Sequence, residues 1–113
     1  MASETFTRSL SRIECERRKW VLDAKVARYD ARSRRSHDLH GIADGVAIDP
    51  TRQHLIYLQW TSTANFAARK RKIEQSAWGR MLVQLPCVRV LVWGWRDDGT
   101  LREAAFTASG EWE

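Results

Sequence analysis

The chain has 113 residues, 43% of them hydrophobic, and a net charge of +5 from 19 Lys or Arg against 14 Asp or Glu. That length supports one domain, residues 1–113, around one core, and is too short for two. No apolar run approaches the roughly 18 residues of a membrane helix, and the start MASETFTRSL lacks a basic-then-apolar leader, so a cytoplasmic protein without a membrane partner is expected.

In chain order, Ser3 to Lys19 reads as a helix, with Ser3 as N-cap and Phe6, Leu10 and Ile13 at helical spacing. In residues 20–29, Trp20, Leu22, Ala24 and Val26 alternate as in a half-buried strand, although Ile13, Trp20, Ala24 and Ala27 also fit a continuing helix. Residues 30–40, DARSRRSHDLH, read as a polar basic loop. GIADGVAID (41–49) and HLIYLQWT (54–61) are two apolar runs around Asp49-Pro50, which predicts a hairpin. Thr63 to Ile73 and the short SAWGRML read as helices. CVRVLVWGW (87–95) and LREAAF (101–106) are strands joined by the turn RDDGT. A helix between residues 61 and 87 can cross over between parallel strands, so the expectation is a mixed sheet flanked by helices.

Charge is unevenly spread. Residues 1–36 hold ten Lys or Arg against five Asp or Glu, and Arg69 to Lys72 are four consecutive basic residues. Two such patches suit a polyanion such as nucleic acid, and equally a solvated basic surface. Cys15 and Cys87 have no paired spacing, which predicts free thiols in a reducing compartment and no zinc framework. Nothing in the sequence calls for an organic cofactor.

Three stretches stand out: HDLHGIAD (37–44), LQWTSTANFAARKRKI (58–73) and VWGW (92–95). With the order of elements, they resemble the PD-(D/E)XK nuclease superfamily, which includes Holliday-junction resolvases and many restriction enzymes. The likeness is to a small, phage- or mobile-element-associated branch, in which Asp closes a D-x-x-G-x-x-D segment and Gln-x-Thr replaces the usual acid-x-Lys. It implies an α/β, restriction-endonuclease-like αβββαβ core and a DNA endonuclease dependent on Mg²⁺ (or Mn²⁺), structure-selective and working as a homodimer. The alternative is an inactive module of the same fold that binds nucleic acid or a protein.

In that superfamily two strand acids hold the cation, and a Lys two residues beyond the second positions the attacking water. A hard cation demands oxygen ligands, and alternation along a strand puts positions i and i+2 on one face. Carried across, the implied catalytic set is Asp44, Gln59 in place of the acid, Thr61 in place of the Lys, Lys72 or Lys70 as a relocated base, and Glu14 from the first helix, with Glu16 second. Asp44, Gln59 and Glu14 would hold the metal, and Arg32, Arg34, Arg35, Arg69 and Arg71 the phosphates. Each residue also has a plainer role open to it: Asp44-Gly45 as a hairpin turn, Asp38 as a loop Asx turn or a second ligand, Thr61 as a helix cap, and Trp60 as core rather than a base-stacking surface.

Overall fold

The computed structural model describes residues 3–25 and 38–113, together with the backbone of 28–30 and 35–37. It is an α/β domain. Helix α1 (Glu4–Arg17) is followed by strands β1 (Val21–Asp23), β2 (Arg28–Asp30), β3 (Arg35–His37), β4 (Gly45–Asp49) and β5 (His54–Ser62). A 3-10 turn (Thr63–Asn65), α2 (Phe66–Glu74), α3 (Ala77–Leu82), β6 (Val88–Trp95) and β7 (Leu101–Phe106) complete the chain.

The main sheet has five strands in the order β1-β4-β5-β6-β7. Strands β4 and β5 form the expected antiparallel hairpin, with Gly45 opposite Leu58 and Asp49 opposite His54. Its turn is built on the buried Asp49, whose Oδ1 accepts the N–H groups of Thr51 and Arg52 at 3.1 and 3.2 Å. After α2 and α3 cross over, β6 runs parallel to β5, Leu55 beside Val88 through Ser62 beside Trp95, and β7 returns antiparallel to β6.

The stretch from Trp20 to Tyr29, which alternates as a strand but also fits a continuing helix, is neither one strand nor a helix: α1 ends at Arg17, and two short strands follow. Asp23 Oδ1 accepts the Lys25 N–H at 2.9 Å, a local side-chain turn that ends β1 after three residues. Arg28–Asp30 then pairs with Arg35–His37 in a separate two-stranded sheet. Residues 35–37 therefore form a strand where a loop is expected; their RSH sequence carries no apolar alternation to announce it.

Alternation sends successive side chains to opposite faces of the main sheet. One face carries Ala47, Ile56, Leu58, Trp60, Leu91, Trp93 and Trp95, and packs on Cys15 of α1. There the Trp95 indole donates to Ser11 Oγ at 3.0 Å, a buried bond that anchors α1. The other face carries Val88, Val90, Val92, Ala104 and Phe106 beneath Phe66, Ile73 and Leu82 of α2 and α3. Cys15 and Cys87 are free thiols, and burial pushes the Cys15 thiol up to about 12. Among the described residues, no helix is long and apolar enough to cross a membrane.

Candidate active site on the α2 face

Asp38 to Asp44 forms a tight turn. The Gly41 N–H donates to the Asp38 carbonyl and the Ile42 N–H to the Leu39 carbonyl, both at 3.0 Å, and Leu39 bridges to Ala43. His40 and Gly41 both adopt left-handed backbone, φ 52° and 73°. Glycine takes that conformation freely, whereas histidine takes it at some cost. The turn folds the two ends of the D-x-x-G-x-x-D segment together, so that the Asp38 carboxyl lies within hydrogen-bonding reach of the Asp44 carboxyl.

Asp44 is not at a hairpin tip. Its N–H donates to the Leu58 carbonyl at 2.8 Å, which extends the β4–β5 ladder by one residue and sets Asp44 opposite Gln59. Asp44 Oδ2 accepts the Gln59 side-chain amide and the Trp60 backbone N–H, the latter at 3.0 Å. Strand alternation puts Thr61 on the same face; it is buried, beside Gly94 of β6.

Burial pushes the Asp44 carboxyl up to about 7, and the neighbouring Asp38 charge and hydrogen bond, with the more distant Glu4 charge, push the same way. The Trp60 N–H opposes them without prevailing. A carboxyl this buried, with a second carboxyl at close quarters, does not ionise cheaply, so Asp44 keeps its proton until near neutrality.

A cation is already present. Lys72 of α2 places Nζ 2.8 Å from Asp38 Oδ2. Lys70 does not join the site: its ammonium lies 5.4 Å from the ring centroids of Phe66 and Trp112. Gln59 is 2% exposed, and its Oε1 is buried with no hydrogen-bond partner among the described residues. Buried carbonyls are almost always paired, so this one stands out as an unused oxygen donor beside two carboxyls.

The acids of the first helix lie as follows. Glu14 is held by Arg17 and Arg18, with Arg18 Nε at 2.6 Å, and these bonds outweigh a burial that alone would raise it, leaving its carboxyl below the usual range. The helix acid whose charge Asp44 feels is Glu4, ten residues earlier, about 15 Å along the helix axis. Glu16 is exposed. Arg69 is half-buried and Arg71 exposed on α2. Arg35 belongs to β3 by its backbone, and Arg32 and Arg34 lie outside the described residues.

Trp60 is core, 4% exposed. The exposed aromatic beside this site is Trp78 of α3, stacked on His40 with centroids 3.7 Å apart. Among the described residues, no cluster of three or more His, Cys, Asp or Glu is arranged to hold a metal. The oxygen donors gathered here are two carboxyls and one amide. Comparison of the chain with protein-family models, curated proteins and solved structures gives no match.

Proposed function

We propose that the chain is a divalent-metal-dependent endonuclease of the PD-(D/E)XK type that cuts DNA. The observation that carries this reading is the convergence of Asp38, Asp44, Gln59 and Lys72, from the two ends of a turn, a strand and a helix. The strand order supports it: α1, β1, β4, β5, α2, β6 follows the αβββαβ succession, with β2–β3 as an inserted hairpin.

The donor set fits Mg²⁺ or Mn²⁺. Hard cations take oxygen ligands, and a carboxyl that is half-protonated near pH 7, as Asp44 is, exchanges its proton readily for a metal. Asp44 and Asp38 would hold the ion, with Gln59 Oε1 as a neutral third donor. The ion would supply Lewis acidity and a more acidic bound water. The chain's own residues do the remainder. Lys72, fixed by Asp38, sets a positive charge where the phosphorane gains negative charge. Arg69 and Arg71, on the same helix, would steady the flanking phosphates.

Branched, single-stranded and duplex DNA incubated with Mg²⁺, Mn²⁺ or EDTA tests this. Cleavage with metal and none with EDTA is expected. Asp44→Ala abolishes cleavage and keeps DNA binding. Lys72→Ala slows cleavage by on the order of 10²-fold or more, as loss of a transition-state contact does, whereas Lys70→Ala leaves it unchanged. Gln59→Glu, which restores a charged oxygen ligand, tightens Mg²⁺ binding. If no DNA form is cut and neither the native chain nor Gln59→Glu binds metal by calorimetry, the catalytic reading fails.

A second reading is a binding module without turnover. Gln59 and Thr61 favour it, since neither supplies the charge that acid-x-Lys would. DNA binding that persists in EDTA, without cleavage under any condition, selects it.

A further inference from the structure

On the opposite side of the sheet from Asp44 there is a second polar cleft of about 380 Å³. Its floor is Ile56 and Leu91, both buried on the α1 face. Its walls carry Arg18 from the end of α1, Arg52 and His54 from the β4–β5 hairpin, and Arg89 from β6, with Asp49 and Glu103 among them.

Both acids are already committed. Asp49 accepts the backbone N–H of Thr51 and of Arg52, and pairs with the Arg52 guanidinium at 3.2 Å. Burial alone would raise its carboxyl, but these bonds hold it below the usual range. Glu103 Oε2 accepts Arg18 Nη1 and the Trp93 indole, both at 2.7 Å. Arg18 is further fixed over the rings of Trp20 and Trp93, 4.9 and 5.1 Å from their centroids.

What remains is positive. Arg89 has no carboxylate within ion-pair distance among the described residues, and its strand neighbour across the ladder is the apolar Ile56. The His54 ring lines the same cleft. A cleft with neutralised acids, guanidiniums held in place and one uncommitted guanidinium has the chemistry of an oxyanion receptor. Guanidinium forks match phosphate geometry.

We propose that this cleft binds a phosphate group, with Arg89 as its principal donor and Arg18, Arg52 and His54 as its walls. The inference is independent of the nuclease reading, because it concerns the other face of the sheet. The phosphate can come from a free anion or from a nucleic-acid backbone, and the two sources separate experimentally.

The full chain is titrated with inorganic phosphate at constant ionic strength and followed by ¹H–¹⁵N NMR. His54 and Arg89 signals should shift in a saturable way within about 10 mM, above the millimolar range of a weak single-anion site. Arg89→Ala should weaken binding by on the order of tenfold, while Arg96→Ala, at an exposed arginine outside the cleft, should not. Both variants should melt as the native chain does, since both side chains are exposed. Phosphate that displaces duplex DNA from the native chain but not from Arg89→Ala identifies the backbone as the source. Phosphate binding without displacement identifies a free anion. No saturable shift, or equal loss in Arg89→Ala and Arg96→Ala, overturns the proposal.

Discussion

Asp44 shows how one residue can weaken a fold at the point where it makes a site. Its carboxyl ordinarily titrates near 3.8 and here does so at about 7, because burial and the Asp38 charge penalise the ionised form. Between those two values the folded chain holds a proton that the unfolded chain has released, so stability falls as pH rises across that window. Well below pH 4 both states are protonated and nothing is lost; well above pH 7 the full penalty applies, on the order of 4 kcal/mol. Asp44→Asn keeps the shape, and an acceptor for the Trp60 N–H, without an ionisable group. Urea denaturation from pH 4 to 8 should show the native chain losing stability and Asp44→Asn holding nearly level, the variant being the more stable at pH 8. Parallel curves would mean that the buried carboxyl is not the origin of the pH dependence. Such a destabilised group is difficult to explain by folding alone, whereas a cation ligand gives it a purpose.

At the scale of elements, close approach fixes where α2 begins. A Cβ on Gly94 would stand 2.6 Å from Phe66 Cδ1, and Phe66 is buried in the core between α2 and the sheet. Gly94→Ala should therefore cost about 1–3 kcal/mol, as overpacking does. Phe66→Leu in the same chain should recover part of that loss, giving a non-additive cycle in urea denaturation. If the two losses simply add, the contact does not set the helix position.

The same helix shows what the sequence could and could not tell. The β4–β5 hairpin, the parallel β5–β6 pair and β7 were legible because Asp49-Pro50, unbroken apolar runs and the RDDGT turn are local signals. The pairing of Asp44 with Gln59 was expected from the resemblance, and the hairpin register is what brings the two opposite one another. The choice between Lys70 and Lys72 was not legible. They stand about 200° apart around a helix axis, so only one can face a given neighbour, and which one depends on how Phe66 and Ile73 seat the helix. The part that Glu4 plays was not legible for a related reason: Glu4, Glu14 and Glu16 all lie on α1, and which of them Asp44 feels depends on how the helix crosses the sheet. Asp38 and Lys72 are 34 residues apart, a separation that no local pattern bridges.

For the whole molecule, the sheet acts as a partition, with the carboxyl site on the α2 face and the arginine-lined cleft on the α1 face. Several of the 19 basic side chains are already engaged within the fold. Lys72 is engaged by Asp38, Lys70 lies over Phe66 and Trp112, and Arg18 and Arg52 are committed to carboxylates. Of the arginines assigned to phosphate, Arg71 is exposed and Arg69 half-buried, and Arg32, Arg34 and Arg35 belong to the basic N-terminal segment. If each of these five neutralises one phosphate, the logarithm of the duplex-DNA association constant should fall with the logarithm of salt at a slope of about −4 to −5. Replacing Arg69 and Arg71 together by Ala should lower the magnitude of that slope by about 2, whereas Lys70→Ala should leave it unchanged. Fluorescence anisotropy at a series of KCl concentrations measures both. Binding that ignores salt, or a slope that Lys70→Ala alters as much as the double arginine variant does, would show that the charge is not distributed in this way.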